Sequence, residues 1–366
     1  MPSIPAPIAE PFPPTKELKN MVSVVFEAYI AECKGDRTKT IDKKRGIFAT
    51  WLKIIGDDPI EAINKEKTRQ FKTMLMKLPA NLKQRYGDKA IKDIDLEKIP
   101  EAQRLSVGSI NDKLAKMTAF MNWAIKNGYY NAANPFIGLN LKDAERPEDK
   151  KHSFTDEQLK AIFSTPVYRG CQSDNMMQRY ERGNLLIKDG MYWVPLIALY
   201  SGARLQEICQ LYTADLKQQG DIWVFDFNED GQDKQLKTLS SQRKTPVHPK
   251  LIELGLLQHF KAQTDKGEER LFPDLPLSSD GTYSGAFSKR FNHFLVRFKI
   301  KTDKTSFHSF RHTFIDGLRN TNVHKEVREA LVGHLDKRTA HDTYGSAIGI
   351  QRLYEGIVQL EYKLSF

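Results

Sequence analysis

At 366 residues the chain is long enough for two domains, each with a core of its own. A 40% hydrophobic content excludes a disordered chain, and the lack of any run of about 20 apolar residues excludes a transmembrane helix. Lys plus Arg number 56 against 46 Asp plus Glu, a formal net charge of +10, which suits a polyanionic partner, although an ordinary basic enzyme would show the same balance.

The N-terminal stretch carries six prolines (Pro2, Pro5, Pro7, Pro11, Pro13 and Pro14) within residues 1–16. Such a stretch is extended and semi-rigid, and reads as a tether. It lacks the charged start and apolar core of a signal peptide. From Glu17 the pattern turns helical. Val24, Val25, Ala28 and Tyr29 share one helix face, as do Ile47, Phe48, Trp51, Leu52 and Ile55, and then Phe71, Met74, Leu75 and Leu78. A polar stretch over 80–105 interrupts the periodicity. It resumes with Ile110, Leu114, Met117, Phe120, Met121 and Ala124, and Gly128 is a helix stop. Residues 17–140 are therefore expected to form a small all-helical domain closed by Asn134-Pro135.

Residues 141–152 (LKDAERPEDKKH) have linker composition, and 153–366 form the second domain. Thr155 or Asp156 is placed to cap a helix carrying Leu159, Ile162 and Phe163. An apolar helix runs from Trp193 to Tyr200. The segment Ile222 to Phe227 has strand composition, Asp230-Gly231 marks a turn, and Gln235–Leu239 and Arg243–Val247 are expected to follow as short strands. The fold class is mainly α with a small antiparallel β-sheet. Cys33, Cys171 and Cys209 show no metal-like or redox-like spacing, which points to a reducing, intracellular setting. There is no basic amphipathic anchor or lipidation signal for a membrane.

Four stretches of the second domain carry reactive side chains. In Ser201-Gly202-Ala203-Arg204-Leu205-Gln206-Glu207-Ile208, Gly202 allows a sharp turn that projects Arg204, and Glu207 lies one helical turn on, where it can hold the guanidinium. A surface helix with an ordinary ion pair would read alike. Lys237 stands where a hairpin lysine could meet a phosphate, or could serve only as a solvated edge-strand charge. In His308-Ser309-Phe310-Arg311-His312-Thr313-Phe314, His308 and Arg311 are three apart and project from one face, Ser306 is placed to cap the helix, and Phe310 and Phe314 anchor the opposite face. A cation beside an imidazole suits an anionic reactant; a buried histidine bonded to backbone is the structural alternative. Finally, Gly333 precedes His334, and Tyr344 lies in a polar run beside Gly345, unlike a core tyrosine. No phosphate-binding loop and no carboxylate cluster for two metal ions is apparent, so no cofactor and no metal are expected.

Taken together, Arg204, Lys237, His308-x-x-Arg311, Gly333-His334 and Tyr344 resemble, in order and spacing, the tyrosine recombinase (phage integrase) family. Ser-Gly-Ala-Arg-Leu-Gln-Glu-Ile is similar to the family's first arginine box, and Phe-Arg-His-Thr-Phe with Leu-Val-Gly-His to its second. The motifs cover roughly 195–345. The resemblance implies a helical core-binding (SAM-like) domain followed by the catalytic domain. It implies Tyr344 as nucleophile, Arg204, Arg311 and His334 as phosphate ligands, His308 as proton acceptor and Lys237 as general acid, with Glu207 and His312 in support. It further implies double-stranded DNA attachment sites as substrate, a homotetramer on DNA, accessory DNA-bending proteins, and a cytoplasmic, nucleoid-associated protein of a bacterium. The apolar stripe Ile350, Leu353, Tyr354, Ile357, Val358 and Leu360 marks 346–366 as a tail that packs either on its own core or, as in the family, on a neighbouring protomer. Two features depart from the family pattern: the 1–16 tether is too short for the extra arm-binding domain of large phage integrases, and 80–105 looks like an insertion. A type IB topoisomerase-like enzyme and a DNA-binding protein that merely keeps the fold are the competing readings.

Overall fold

The computed structural model describes residues 20–87, 89–143, 152–175, 177–236, 241–279, 281–333 and 348–364. The chain divides into two compact units, Met1–Glu145 and Arg146–Phe366, each with its own hydrophobic core. The division falls inside the stretch whose composition marks a linker. The proline-rich 1–16 lies outside the described residues.

The first unit is all helical. Helices α1 (Val22–Glu32), α2 (Thr38–Ile54) and α3 (Lys65–Lys77) each pack against the long α5 (Val107–Lys126), with a short α4 (Leu82–Tyr86) between. The buried faces follow the sequence reading in α2, α3 and α5, but in α1 the face is rotated: Val24 is 49% exposed, and Val22, Phe26 and Ile30 join Val25 and Tyr29 inside. Phe26 stacks on Phe48 at 3.9 Å between centroids, and Trp51 meets Phe71 edge-on at 5.1 Å. Ser106 caps α5 by accepting from the Ser109 amide, and the helix stops before Gly128, whose φ of 75° needs a residue without a Cβ. The polar 80–105 stretch is more integrated than an insertion would need to be. It holds three 3₁₀ turns, and Ile91, Ile94 and Ile99 are buried. The unit also runs past Asn134-Pro135, because Asn111 bonds both the amide and the carbonyl of Leu141.

The second unit is built around α8 (Gly190–Ser201), every residue of which is buried. Upstream lie α6 (Asp156–Phe163), opened by a Thr155–Gln158 capping box, and α7 (Pro166–Arg169). Pro195 inside α8 has no amide to give the Met191 carbonyl, which accepts instead from the Tyr168 hydroxyl at 3.4 Å. After α9 (Leu205–Cys209) the chain forms a three-stranded antiparallel sheet in the order β1 (Leu216–Gln219), β2 (Ile222–Phe227), β3 (Arg243–Pro246), with Leu216 opposite Phe225 and Val224 opposite Pro246. The first strand was not expected. Its turn is made by Gly220, at φ 61°, whereas Asp230-Gly231 falls within the long β2–β3 connection. Of the strand expected over Gln235–Leu239, Gln235 and Leu236 are not in strand and the rest lies outside the described residues.

Helices α10 (Pro249–Glu253), α11 (Leu256–Asp265), α12 (Ser284–Arg297), α13 (Ser309–Arg319) and α14 (Lys325–Val332) complete this unit, followed by α15 (Ile350–Ile357). Among the described residues no helix is long and apolar enough to cross a membrane. The described tail, 348–364, packs on its own domain: Leu353, Ile357 and Leu360 join Phe314, Leu318, Val327 and Leu331 in one cluster.

His248 ties that tail down. Its Nδ1 accepts from the Lys250 amide at 3.0 Å, so Nε2 carries the proton and donates to the Leu360 carbonyl at 2.9 Å. Burial lowers its pKa from 6.5 to about 4. The unfolded chain therefore takes up a proton near pH 6.5 that the folded ring refuses until about pH 4. This contribution to stability is complete above 6.5 and is lost as pH falls through that window, reaching about 3 kcal/mol at its lower end. Urea unfolding of the wild type should show this loss between pH 6.5 and 4, and His248→Asn should flatten it.

Candidate active site

The turn after α8 sets the first part of the site. Gly202 closes the helix in the left-handed conformation, φ 63°, and a Cβ placed on it would lie 2.3 Å from Cδ1 of Phe314 in α13. Only glycine lets α8 and α13 approach so closely here. Ser201 bonds the Ile197 carbonyl and accepts from the Ala203 amide, which fixes the turn. The chain then reaches Arg204, at the N-cap position of α9.

Glu207 lies one turn on, as the spacing anticipates. Its side chain is 2% exposed and receives Nη1 of Arg204 at 2.7 Å and the Arg204 amide at 2.9 Å. Arg204 Nη1 also reaches Ser241 Oγ at 3.0 Å, and its side chain stays 20% exposed. A residue that the sequence did not single out completes the group. Arg243, on β3, donates Nη2 to the second Glu207 oxygen at 2.9 Å, Nε to the Leu331 carbonyl at 2.9 Å and Nη1 to the Ser241 carbonyl at 2.8 Å, with its guanidinium over Phe227. Burial alone would raise the Glu207 carboxyl, but Arg243 and then Arg204 outweigh it and hold it below the usual range. Nothing in the local pattern of a short strand marks Arg243; only the pairing of β2 with β3 brings it to Glu207.

Arg311 is 2% exposed. Its Nη1 donates to the Gly202 carbonyl and its Nη2 to the Val332 carbonyl, both at 2.6 Å. These carbonyls stand at the C-terminal ends of α8 and α14, where helix dipoles concentrate negative potential. Burial, then the charges of Arg204 and Arg243, bring its pKa down to about 9, so it stays cationic at neutral pH. Phe310 and Phe314 are both fully buried and anchor α13, with Phe310 among Phe154, Phe291 and Phe307.

His308 occupies the N-cap position of α13, a place expected for Ser306. The Ser306 amide instead donates to Ser309 Oγ at 3.1 Å. His308 is exposed, and its ring meets His312 edge-on at 5.0 Å. Lys237, His334 and Tyr344 lie outside the described residues. The chain leading to Lys237 is held as far as Leu236: Lys234 is buried on Asp215 at 2.8 Å, Asp233 accepts from Tyr212, Tyr283 and Arg270, the Gln235 amide bonds Gln210, and the Leu236 amide bonds Glu229. Among the described residues no group of His, Cys, Asp and Glu is arranged to hold a metal ion. The structure thus brings Arg204, Arg311 and Glu207 into one charged network, with His308 on the helix that carries Arg311.

The sequence profile of the phage integrase family matches residues 166–347, which contain all of these groups. The chain belongs to that family. Solved integrases share its fold at low sequence identity. A lambda integrase (75–356) dimer bound to a COC′ core site aligns with a TM-score of 0.55 and 14% identity, over 89% of this chain and 95% of that one. The Tn1549 transposon integrase, in complex with a circular intermediate DNA, aligns at 0.59 and 18%, over 90% and 96%. A lambda integrase tetramer bound to a Holliday junction aligns at 0.54 and 14%, over 90% and 80%. No curated protein sequence matches the chain. The tyrosine recombinase fold is therefore kept with few identical residues.

That geometry makes Gly202 a structural requirement of the integrase site. Gly202→Ala should lower the unfolding free energy by roughly 2 kcal/mol or more, through strain at positive φ and overlap with Phe314. Chemical denaturation measures it.

Proposed function

We propose that this recombinase cuts and rejoins double-stranded DNA at specific attachment sites, so as to integrate or excise a mobile element. The observation that carries the reading is the pair Arg204 and Arg311, joined through the Gly202 turn. An arginine offers five N–H donors. The two hydrogen bonds of Arg311 described here go to main-chain carbonyls, and among the described residues no carboxylate is paired with it. Two such forks suit the non-bridging oxygens of one phosphate.

In this mechanism the Tyr344 hydroxyl attacks the scissile phosphorus and loses its proton to His308. The bond from phosphorus to the 5′ oxygen breaks, and Lys237 gives that oxygen a proton. Arg204, Arg311 and His334 stabilise the added negative charge, Glu207 orients Arg204, and His312 supports His308. The product is a 3′-phosphotyrosyl link with a free 5′-hydroxyl. The link conserves the phosphodiester energy, so a 5′-hydroxyl from another duplex can reverse the step without a nucleotide cofactor. The helical unit and the catalytic unit together grip the duplex, and the net charge of +10 makes binding salt-dependent. The assembly is a tetramer on DNA, helped by accessory DNA-bending proteins. The setting is the bacterial cytoplasm, at the nucleoid.

The test is a nicked-duplex library incubated with the full chain, followed by sequencing of the covalently trapped ends. Wild type should form an adduct at a defined sequence, and Tyr344→Phe should bind that duplex and form none. Arg204→Ala and Arg311→Ala should each slow adduct formation by roughly 10²–10³-fold. An adduct that persists on Tyr344→Phe moves the nucleophile elsewhere. Relaxation of supercoiled plasmid by a monomer without recombinants would favour a topoisomerase, and binding with no adduct on any duplex a DNA-binding protein.

A further inference from the structure

We propose that Arg243 is the counter-charge of the phosphate site: a positioning residue that acts through Glu207 to leave Arg204 electrostatically available to DNA. The inference rests on the reading of Arg204 as a phosphate ligand and goes beyond it. Glu207 is a buried carboxylate shared by two guanidinium groups, with Arg204 on one oxygen and Arg243 on the other. The two arginines differ in placement. The Arg243 side chain is only 7% exposed, and all three of its guanidinium nitrogens bond to groups of the protein. It is committed to the interior while Arg204 keeps an exposed edge.

Charge counting gives the consequence. Two cations and one anion leave the trio net positive. Without Arg243, Glu207 would neutralise Arg204, and an approaching phosphate would meet a dipole in place of a cation. At close range inside a protein such a change is weakly screened. The charge of Arg243 also reaches Arg311, whose pKa it helps to lower. Its Nε bond to the Leu331 carbonyl, one residue before the carbonyl that holds Arg311, ties the same residue to the second fork.

A merely structural role predicts that the loss in Arg243→Met is the same whether or not the scissile phosphate carries its charge. A counter-charge role predicts that removing Glu207's charge as well restores activity. The single variant Arg243→Met leaves a buried carboxylate short of a partner, which can impair folding, so the double variant Arg243→Met with Glu207→Gln is built alongside; neutralising both members of a buried pair is often well tolerated. The probe is a nicked duplex bearing the cleavage sequence mapped from trapped ends, read as the single-turnover rate of adduct formation. Arg243→Met should cleave roughly 10²-fold more slowly than wild type. The double variant should recover about tenfold of that loss, within the coupling expected for contacting charges. On a duplex with a methylphosphonate at the scissile position, which removes the negative charge, the gap between wild type and Arg243→Met should narrow. A double variant no faster than Arg243→Met, or an unchanged gap on methylphosphonate, overturns the proposal. Where Arg204→Ala also fails to narrow its gap on methylphosphonate, the assignment of Arg204 to the phosphate fails first.

Discussion

The guanidinium of Arg311, held by the carbonyl ends of two helices, is the interaction on which the rest of this site depends. A buried cation needs compensation, and a carboxylate would supply it at the expense of the charge itself. Carbonyl dipoles compensate without cancelling. Arg311 therefore stays positive in a place where water is excluded, and its position is set by the helices α8 and α14, which the core fixes. The Gly202 turn serves both sides of this arrangement, since it supplies one of the carbonyls and leads directly into Arg204.

Around this point the network is layered. Glu207 fixes Arg204, Arg243 shares Glu207, and Arg243 reaches back to the end of α14. The segment that follows, 334–347, contains His334 and Tyr344 and begins immediately after Gly333, the left-handed cap of α14. The described tail returns to the same domain through α15 and is fastened by His248. A helix end that holds Arg311 is thus also followed directly by the stretch with Tyr344, the proposed nucleophile.

Much of this was legible from residue spacing. Apolar repeats located the main helices of the first unit, and the three-residue step from Arg204 to Glu207 announced their ion pair. Gly202 was readable as a turn, but the reason for glycine, the ring of Phe314 lying 112 residues further on, belongs to packing that no local window contains. The sheet was harder. Leu216–Gln219 is polar enough to read as loop, and it becomes a strand because the turn at Gly220 brings it beside Ile222–Phe227. Arg243 was invisible for a related reason, since its importance comes from strand pairing and from α14. Ser306 misled because a capping residue was in reach, while Ser309 captured its amide and the helix began later.

The proline of α8 has its own consequence for how this sequence can vary. Because the Met191 carbonyl has lost its helical donor, the phenol of Tyr168 has a duty that arises only from Pro195. The two positions are thereby epistatic. Phenylalanine at 168 leaves a buried acceptor unsatisfied while the imino acid is present, and becomes harmless once a residue with an amide proton replaces it. Drift at the aromatic position should accordingly follow, and not precede, loss of the proline.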